Sequence, residues 1–359
     1  MRKVIFFHNN VSRVATDPRD LLSRFHNYLQ AAKDYLGNPN LELNLLFGGI
    51  DSNIRFDTIK VVRLSRSLFS QYLALRSSLK RPGEQVTLIA GDNHLSLLIC
   101  LFAKARKTNI RLQISIHTSV STLLNPSNIS GKLKLKFILL SVGFVDNIRV
   151  VSNSDLENLR KVITHFDGQI FVAPVPIEIP KAAFDRKHSH VVGMVGRLHS
   201  ERGIAECPDI FKELRVVRPM SKILLIGDGA ERAWLEKQLS SFEPRPEFTG
   251  SLKQSDIRDR WPQIHVLLSC APSESYGMAL REALVNGVFV VARKNETTEL
   301  LQAQFPSMMQ VFTNTSEAAI RINSFYEQEF SPDMVAAVRQ AIKSEQDKYL
   351  IQLARSWFV

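Results

Sequence analysis

The chain is poor in cysteine and lacks long apolar runs, and each absence argues against a class of protein. Only three of its 359 residues are cysteines, Cys100, Cys207 and Cys270, and their spacing fits no metal motif. A disulfide-stapled secreted domain is therefore disfavoured, and a reduced, cytoplasmic compartment is expected. No uninterrupted apolar stretch reaches the ~18 residues of a membrane-spanning helix. Met1-Arg2-Lys3 precedes only four apolar residues, so no secretory signal peptide is expected.

The charge of the chain is concentrated in its first half. Residues 1–180 carry 23 Lys and Arg against 13 Asp and Glu, a net charge of +10, whereas residues 181–359 carry 23 against 22. A basic half indicates an anionic partner: anionic lipid, a phosphate-bearing acceptor or nucleic acid. A merely solubilising surface is the alternative. The basic half has neither an aromatic-interleaved RNA motif nor a helix-turn-helix signature, so nucleic acid is not expected.

The first half alternates short apolar strands with helical patterns, which predicts a parallel sheet in a Rossmann-like domain. The predicted strands include Val4–Phe7, Leu41–Phe47, Val86–Ala90, Leu112–Ile116 and Asn147–Val151. Such sheets bind ligands beyond the carboxyl ends of their strands. Four polar residues at or just beyond these ends are candidates for the acceptor side: His8, Asn9, Asn10 and Asp92. His117, which also follows a strand, is a candidate for a position near the reacting group.

A proline-rich segment divides the chain. Residues 173–180, A-P-V-P-I-E-I-P, contain three prolines and predict a stiff, extended linker between two domains. We therefore expect a first domain over residues 1–175 and a second over 176–340. Residues 341–359 are expected to form a helix.

The most informative stretch is C-A-P-S-E-S-Y-G-M-A-L-R-E-A-L-V-N, residues 270–286. It follows an apolar strand and leads through a turn into a helix, with Ser275, Tyr276, Gly277 and Met278 at the helix N-terminus. Unpaired backbone N–H groups there favour an anion, and glycine lets the backbone approach a ligand closely. Glu274 before the helix and Glu282 inside it are acceptors for hydroxyl groups. This combination suits a sugar nucleotide.

A second cationic turn lies upstream, in the segment V-G-R-L-H-S-E-R-G at residues 195–203. Arg197 and Arg202 follow a predicted strand and are separated by a short turn. Two such cations can hold opposite oxygens of one diphosphate. The alternative is that Arg202 only pairs with Glu206, one helical turn further on.

These motifs resemble those of the retaining glycosyltransferases of the GT4 (glycosyl transferases group 1) family. Glu274 and Glu282 match its E-x7-E motif, and the Gly196–Gly203 segment matches G-R-L-x-x-x-K-G with arginine in place of lysine. The turns I-G-D-G at residues 226–229 and F-T-G at 248–250 occur in the family's order. The resemblance implies a GT-B fold, with two Rossmann-like domains facing each other across a cleft and a C-terminal helix crossing back to the first domain.

The resemblance also implies roles for individual residues. Arg197, Arg202 and the Ser275–Met278 turn would bind the donor diphosphate, Glu282 the ribose and Glu274 the donor sugar. His117 would lie close to the reacting sugar. The donor would be UDP- or GDP-linked, and no metal or other cofactor is expected, because the cations replace it and the chain has no D-x-D motif.

The predicted function is a retaining glycosyltransferase that moves a sugar from a nucleotide-sugar donor to a saccharide or lipid-linked acceptor in glycan or polysaccharide biosynthesis. Two departures from the family pattern keep alternatives open. Residues 294–298, K-N-E-T-T, lack the family's Gly-Gly step, and the first strand ends in N-N-V-S without a glycine-rich loop. A sugar-nucleotide epimerase or hydrolase of the same fold, or a catalytically weak nucleotide-sugar-binding protein, are the alternatives.

The basic half also predicts peripheral attachment to an anionic membrane, on the inner face of a cytoplasmic membrane. The segment G-K-L-K-L-K-F-I-L-L, residues 131–140, places cations beside large apolar groups. On a helix, however, Lys132 and Lys136 share a face that Lys134 does not. An ordinary packed helix with solvated lysines is therefore the alternative for this segment.

Overall fold

The computed structural model describes residues 2–11, 19–79, 84–91, 93–105, 109–124, 129–180 and 190–358. The chain divides into two compact units. Unit 1 is Met1–Pro176 together with Gln346–Val359, and unit 2 is Ile177–Glu345. The first division falls in the proline-rich segment. The second falls inside one continuous helix, a few residues beyond the boundary that the sequence analysis placed after residue 340.

Unit 1 contains an eight-stranded sheet with the order β3-β4-β2-β1-β5-β6-β7-β8. All neighbouring strands are parallel except β3 and β4, which pair antiparallel at one edge. The strands are β1 Arg2–His8, β2 Glu42–Gly48, β3 Ile54–Phe56, β4 Ile59–Leu64, β5 Gln85–Ala90, β6 Ile110–Ser115, β7 Asn147–Val150 and β8 Gln169–Val172.

Helices cover both faces of this sheet, and the sequence of β1 shows why. Its central residues, V-I-F-F, form a continuous apolar run with both faces buried, as a parallel strand between two helical layers requires. Val4 and Phe6 join one core cluster, and Ile5 and Phe7 join the other. The helices of unit 1 are α1 Arg19–Leu36, α2 Leu68–Ser78, α3 His94–Lys104, α4 Val120–Leu124, α5 Ile129–Ser141 and α6 Asn153–Val162.

Unit 2 contains a six-stranded, fully parallel sheet with the order β11-β10-β9-β12-β13-β14. In chain order this is 3-2-1-4-5-6, the strand order of a doubly wound Rossmann fold. The strands are β9 Val191–Val195, β10 Lys222–Ile226, β11 Glu247–Gly250, β12 Val266–Ser269, β13 Phe289–Arg293 and β14 Met309–Phe312. The helices are α7 Cys207–Val217, α8 Arg232–Gln238, α9 Gln254–Arg260, α10 Met278–Val285, α11 Glu296–Gln304, α12 Thr315–Glu327 and α13 Pro332–Ser356.

The predicted fold class, α/β with two Rossmann-like units, is confirmed. The sequence analysis did not predict β3, α4 or β8. These elements have three to five residues each, which is too short for a strand or helix period to show in the sequence. No helix within the described ranges has the length and apolar content of a membrane span.

Helix α13 begins in unit 2, and its last residues belong to unit 1. Just beyond its end, Trp357 is fully buried in the core cluster that contains β1. Its indole packs edge to face on Phe6, with 5.8 Å between the ring centroids. Backbone carbonyls at this end accept from polar side chains of the sheet: Asn147 Nδ2 donates to the Ser356 carbonyl at 2.8 Å, and Thr87 Oγ1 donates to that of Trp357.

This packing predicts that Trp357 is a major contributor to the stability of unit 1. Replacing Trp357 by Ala should lower the free energy of unfolding by about 3–5 kcal/mol, because it removes a large buried aromatic group and leaves a cavity. Trp234, which is 38% exposed, is the matched control, and Trp234→Ala should cost about 1 kcal/mol or less. Chemical denaturation of both variants measures the difference. Equal losses would contradict the assignment.

Candidate functional site

The candidate donor site lies where the strand order of the unit 2 sheet reverses. Strands β9 and β12 pair side by side, but the chain leaves β9 toward β10 and leaves β12 toward β13. Open α/β sheets bind ligands beyond the carboxyl ends of the strands at such a switch point. The turn after β9 carries Arg197 and Arg202, and the turn after β12 carries Glu274. The two motifs singled out from the sequence are therefore neighbours in the fold.

Arg202 and Glu274 make direct contact. The Nη1 of Arg202 donates to Oε1 of Glu274, although 72 residues separate them in the chain. The two side chains are 35% and 13% exposed, so the pair is partly desolvated. The alternative partner for Arg202, Glu206, instead accepts from Nη1 of Arg293.

Burial raises the pKa of Glu274, and the attraction and hydrogen bond of Arg202 oppose this without reversing it. The protein therefore holds a carboxylate where it is less favourable than in the unfolded chain. A buried carboxyl group with a raised pKa beside a specific charged partner is characteristic of functional sites, because the stability of the fold alone does not require it.

The backbone beneath this pair is tightly packed. Gly203 has a positive φ of 67°, and a Cβ on it would come within 2.0 Å of the Cys270 carbonyl oxygen. The thiols of Cys270 and Cys207 lie 3.6 Å apart, and both are buried. The Cys207 thiol donates a hydrogen bond to Cys270, and this bond together with burial raises the pKa of the Cys207 thiol well above its ordinary value. The two turns thus pack closely on each other through their backbones, with the two thiols buried beside this contact.

The turn after β12 leads directly into α10. Gly277 adopts a left-handed conformation, with φ 70° and ψ 49°, immediately before the first helical residue, Met278. The first amides of α10 have no acceptor within the helix, as in any α-helix, and they carry the positive end of its dipole. Ser275 and Met278 are half-buried, and Tyr276 is buried. The geometry at this turn suits an anion held by backbone N–H groups.

Residues of the segment K-N-E-T-T support this turn. Thr297 Oγ1 donates to the carbonyls of Glu274 and Ser275 at 2.7 and 3.2 Å. Asn295 caps α11 in a capping box with Thr298, and its Nδ2 lies 3.2 Å from the Ala271 carbonyl. The K-N-E-T-T segment, which stands where the family has a Gly-Gly step, therefore has a structural role, because side chains of this segment hold the backbone that carries Glu274.

Arg281 supports the same turn from inside the helix. Only 7% of this residue is exposed, and its guanidinium forms a bidentate ion pair with Glu345 of α13, at 2.6 and 3.2 Å. Its Nε donates to the Tyr276 carbonyl at 3.1 Å, and its guanidinium lies 4.1 Å from the centre of the Tyr276 ring. The side chain of Tyr276 is thus used in packing, and its carbonyl holds Arg281. The sequence analysis missed this arrangement.

Arg197 has a different environment from Arg202. Its side chain is 62% exposed, and its only described partner is Glu201, which accepts from Nη2 at 2.5 Å. An exposed ion pair of this kind is weak in water. An incoming anion can therefore displace Glu201 at little cost, whereas Arg202 must keep or share its contact with Glu274.

Glu282, in the middle of α10, lines a small recess in the surface of unit 2. Gln254 Nε2 donates to its Oε1 at 3.0 Å, and Asn286 Nδ2 donates to its backbone carbonyl at 2.7 Å. The recess is lined by Glu178, Pro180, Gln254, Arg258, Trp261, Glu282 and Asn286. Its mixture of carboxylate, amide and aromatic groups suits a polyhydroxylated ligand. The sequence analysis identified Glu282 but missed Gln254 and Arg258, which begin and continue the helix after the F-T-G turn.

The acceptor-side candidates lie in unit 1. His8 ends β1, where its Nδ1 accepts from the backbone N–H of Asn10 at 3.2 Å and its Nε2 lies 3.2 Å from the Asn93 side-chain amide. Asn9 is anchored from α3, because its backbone N–H donates to Ser96 Oγ at 2.9 Å. These contacts hold the turn after β1. Asp92, the fourth candidate, lies outside the described residues.

His117 follows β6 and is exposed. Lys134 of α5 donates from Nζ to Thr118 Oγ1 at 2.9 Å, directly beside it. Lys134 therefore contacts the residue that follows His117, and this lysine was not among the predicted site residues. His117 belongs to unit 1 and Glu274 to unit 2. Within the described residues, no group of His, Cys, Asp or Glu side chains could hold a metal ion.

Comparison with solved structures identifies the fold. Sucrose-phosphate synthase from Thermosynechococcus elongatus superposes with a TM-score of 0.70 at 14% identity, covering 99% of this chain and 94% of its own. Anabaena Alr3699/HepE, solved in complex with UDP and glucose, superposes with a TM-score of 0.67 at 15% identity, covering 99% and 97%. These similarities establish the GT-B fold that the sequence predicted.

The sequence comparisons then identify a similar family. The family described as "Glycosyl transferases group 1" matches residues 189–327 of this chain. The predicted resemblance is thereby confirmed over most of unit 2. The gpi3 subunit of the phosphatidylinositol N-acetylglucosaminyltransferase of Schizosaccharomyces pombe is 25% identical over 238 residues, which cover 64% of this chain and 50% of that protein. The chain spans about half the length of the curated relatives it matches.

The contact between Gly203 and Cys270 yields a prediction about the site's framework. Gly203→Ala should destabilise the protein by about 2 kcal/mol, because the new methyl group meets a backbone carbonyl at a left-handed position. Gly143→Ala is the matched control, since a Cβ there has no neighbour within 4 Å. Thermal and chemical unfolding of both variants check the prediction. If Gly203→Ala unfolds like Gly143→Ala, the close packing of the two turns is wrong.

The raised pKa of Glu274 predicts a distinctive pH dependence of stability. Between its ordinary and its raised pKa, the native state binds more protons than the unfolded state, so wild-type stability falls as pH rises through this interval. Glu274→Gln removes that fall, and the variant should gain stability relative to wild type as pH rises. Urea unfolding at a series of pH values measures the difference.

Glu317 provides a control of opposite sign. Hydrogen bonds from Arg321 and from Thr313 lower the pKa of Glu317, so it contributes stability above its ordinary pKa that is lost on acidification. Glu317→Gln should therefore lose stability relative to wild type at neutral pH, and the difference should vanish in acid. Parallel pH profiles for the two variants would contradict the assignment for Glu274.

Proposed function

We propose that the chain is a retaining, GT4-like glycosyltransferase that moves a sugar from a UDP- or GDP-linked donor to a saccharide or lipid-linked acceptor. The observation that carries this proposal is the Arg202–Glu274 contact at the switch point of a group 1 glycosyltransferase segment. A cation suited to a diphosphate and a carboxylate suited to a sugar hydroxyl are held side by side there. The names of the relatives, which include a sugar transferase acting on phosphatidylinositol, support the reaction class.

In the proposed reaction the bond between the anomeric carbon and the diphosphate oxygen breaks, and its electron pair leaves with the diphosphate. The acceptor oxygen bonds to the anomeric carbon on the same face, and the acceptor's proton passes to the departing phosphate oxygen. Positive charge develops on the sugar ring while negative charge builds on the leaving group. Stabilising both charges at once is what such a site must do.

The described contacts suggest how the residues divide this work. Arg197, Arg202 and the amides at the start of α10 would hold the diphosphate, and the exposed pairing of Arg197 with Glu201 would yield to it. Arg202 has five donors in a planar fork, so it can contact phosphate while it stays with Glu274. Glu274 would accept from the donor sugar, and Glu282 would accept from the ribose in its recess.

We also propose that the reaction needs no metal ion, because the guanidinium groups and the helix N-terminus supply the positive charge. His117 and the turn at His8–Asn10 would contribute from the acceptor side. Lys134, held beside His117 by Thr118, adds a cation suited to an acceptor that carries a phosphate group. Full turnover in the presence of EDTA would support the metal-independent reaction, and loss of turnover restored by a divalent cation would overturn it.

A donor screen tests the proposed function and its alternatives together. Thermal shift with a panel of UDP- and GDP-sugars should identify the donor, and the products of that donor are then analysed with and without candidate acceptors. A new glycoside with the anomeric configuration of the donor supports the proposal. Free sugar formed without an acceptor would indicate a hydrolase, an epimerised nucleotide sugar an epimerase, and binding without any product a binding protein.

Substitution of the two glutamates should separate their roles. Glu282→Gln should weaken the free nucleotide and the nucleotide sugar alike, by about tenfold, since ribose is common to both. Glu274→Gln should leave the affinity for the free nucleotide unchanged and impair the nucleotide sugar and its turnover. Isothermal titration with each ligand checks this, with Glu327→Gln, an exposed glutamate of α12, as the control. Equal loss of the free nucleotide in both variants would show that Glu274 is not a sugar ligand.

A further inference from the structure

Three neighbouring helices of unit 1 expose an unusual number of large apolar side chains. Helix α2 packs against α3, and α3 packs against α5, and all three contribute to the same core cluster on one face of the sheet. Their outer sides, which face away from the sheet, nevertheless carry large apolar groups that are between 38% and 74% exposed: Leu68, Phe69, Leu73, Leu98, Phe102, Ile129, Leu133, Leu140 and, in the turn after α5, Phe144. These nine residues, with Lys132 and Lys136, are called the basic apolar face.

The three helices are also one-sided in charge. They contain Arg76, Lys104, Lys132, Lys134 and Lys136, and their sequences contain no Asp or Glu. Helices that simply face water usually mix both signs of charge with few large apolar groups. The combination of exposed apolar groups and unbalanced positive charge is complementary to a partner that has an anionic surface layer over an apolar interior.

Helix α5 shows how the two properties are combined. Ile129, the adjacent pair Lys132 and Leu133, Lys136 and Leu140 are all exposed and recur every three or four residues along most of the helix, so they form one stripe. Lys134 points elsewhere and donates to Thr118. Two of the three lysines of this segment, Lys132 and Lys136, are therefore exposed on the stripe, and the third, Lys134, makes a separate contact.

Acidic groups near the face are engaged inside unit 1. Asp146 follows the turn that carries Phe144, and it accepts from Lys104 Nζ at 2.5 Å and from the backbone N–H of Leu112 at 2.6 Å. Lys104 also donates to the Phe144 carbonyl at 3.2 Å, which fixes the exposed phenylalanine at the end of the face. Lys132 and Lys136 keep their charge at the surface.

We propose that the basic apolar face docks the protein on an anionic lipid bilayer. The exposed Leu, Ile and Phe side chains would enter the boundary between head groups and acyl chains, and Lys132 and Lys136 would contact the anionic head groups, as in interfacial helices. This goes beyond a general attraction of the basic half, because it assigns specific side chains on three packed helices. It does not depend on the donor chemistry of unit 2, so either proposal can fail while the other holds.

Flotation with lipid vesicles tests the proposal on the full chain. Wild type should bind vesicles of phosphatidylglycerol mixed with phosphatidylcholine, less so as salt rises, and should not bind phosphatidylcholine alone. The double variant Lys132→Gln/Lys136→Gln should reduce binding to the anionic vesicles by at least about tenfold. The double variant Phe102→Ser/Leu133→Ser should reduce binding by a similar factor at every salt concentration, because it removes apolar contact and leaves the charge unchanged.

Matched controls come from unit 2. Lys222 and Lys237 are exposed lysines, and Met220 and Ile320 are 76% and 67% exposed. Lys222→Gln/Lys237→Gln and Met220→Ser/Ile320→Ser should bind vesicles like wild type. Circular dichroism and thermal unfolding of all four variants establish whether each is folded. If a double variant of the face is not folded, a single variant replaces it: Lys136→Gln for the lysine pair and Phe69→Ser for the apolar pair.

Several outcomes would overturn the proposal. Equal binding to neutral and anionic vesicles, no binding to either, or equal losses in the face and control variants would each do so. If wild type ignores vesicles but forms a dimer in sedimentation velocity that Phe102→Ser/Leu133→Ser dissociates, the occupant is a second copy of the chain. If the protein is a monomer and binds no vesicle, the occupant of the face is instead a different protein.

Discussion

The contact between Arg202 and Glu274 depends on the strand order of the unit 2 sheet. Because β9 and β12 lie side by side while their connections diverge, a turn at residue 202 and another at residue 274 meet over one edge. The backbone contact of Gly203 with Cys270 leaves no space between the turns. The resulting pair is partly buried and includes a carboxylate with a raised pKa, so the fold maintains an arrangement that its stability does not require.

Much of this could be predicted from the sequence, and for identifiable reasons. The alternation of apolar runs and helical periods gives the Rossmann-like units, and the spacing of Glu274 and Glu282 on either side of Gly277 indicates a turn that leads into a helix. Arg197 and Arg202 could be found because they follow a strand and a glycine turn. All of these signals are local, and a local period or turn residue is what a single sequence displays most clearly.

The supports of the site could not be found in this way, since each is a contact between distant segments. Glu345 lies 64 residues from Arg281, and the two residues meet only because α13 packs beside α10. Thr297 reaches the carbonyl of Glu274 across 23 residues. The sequence of this segment was interpreted as a departure from the family pattern that left the donor and the activity open, and in the structure the segment holds the backbone of the turn that carries Glu274. A side chain that stands where the family pattern has glycine can thus act through hydrogen bonds that no spacing rule anticipates.

The two units use charge in different ways, and this difference accounts for the uneven net charge of the chain. In unit 2, three arginines near the switch point are paired with carboxylates from distant segments: Arg202–Glu274, Arg281–Glu345 and Arg293–Glu206. Paired charges of this kind define the shape of a site and leave little net field. In unit 1, by contrast, α2, α3 and α5 contain cations without a single acid among them. Surface lysines beside exposed Phe and Leu side chains do little for folding, so their arrangement is better explained by a surface outside the chain.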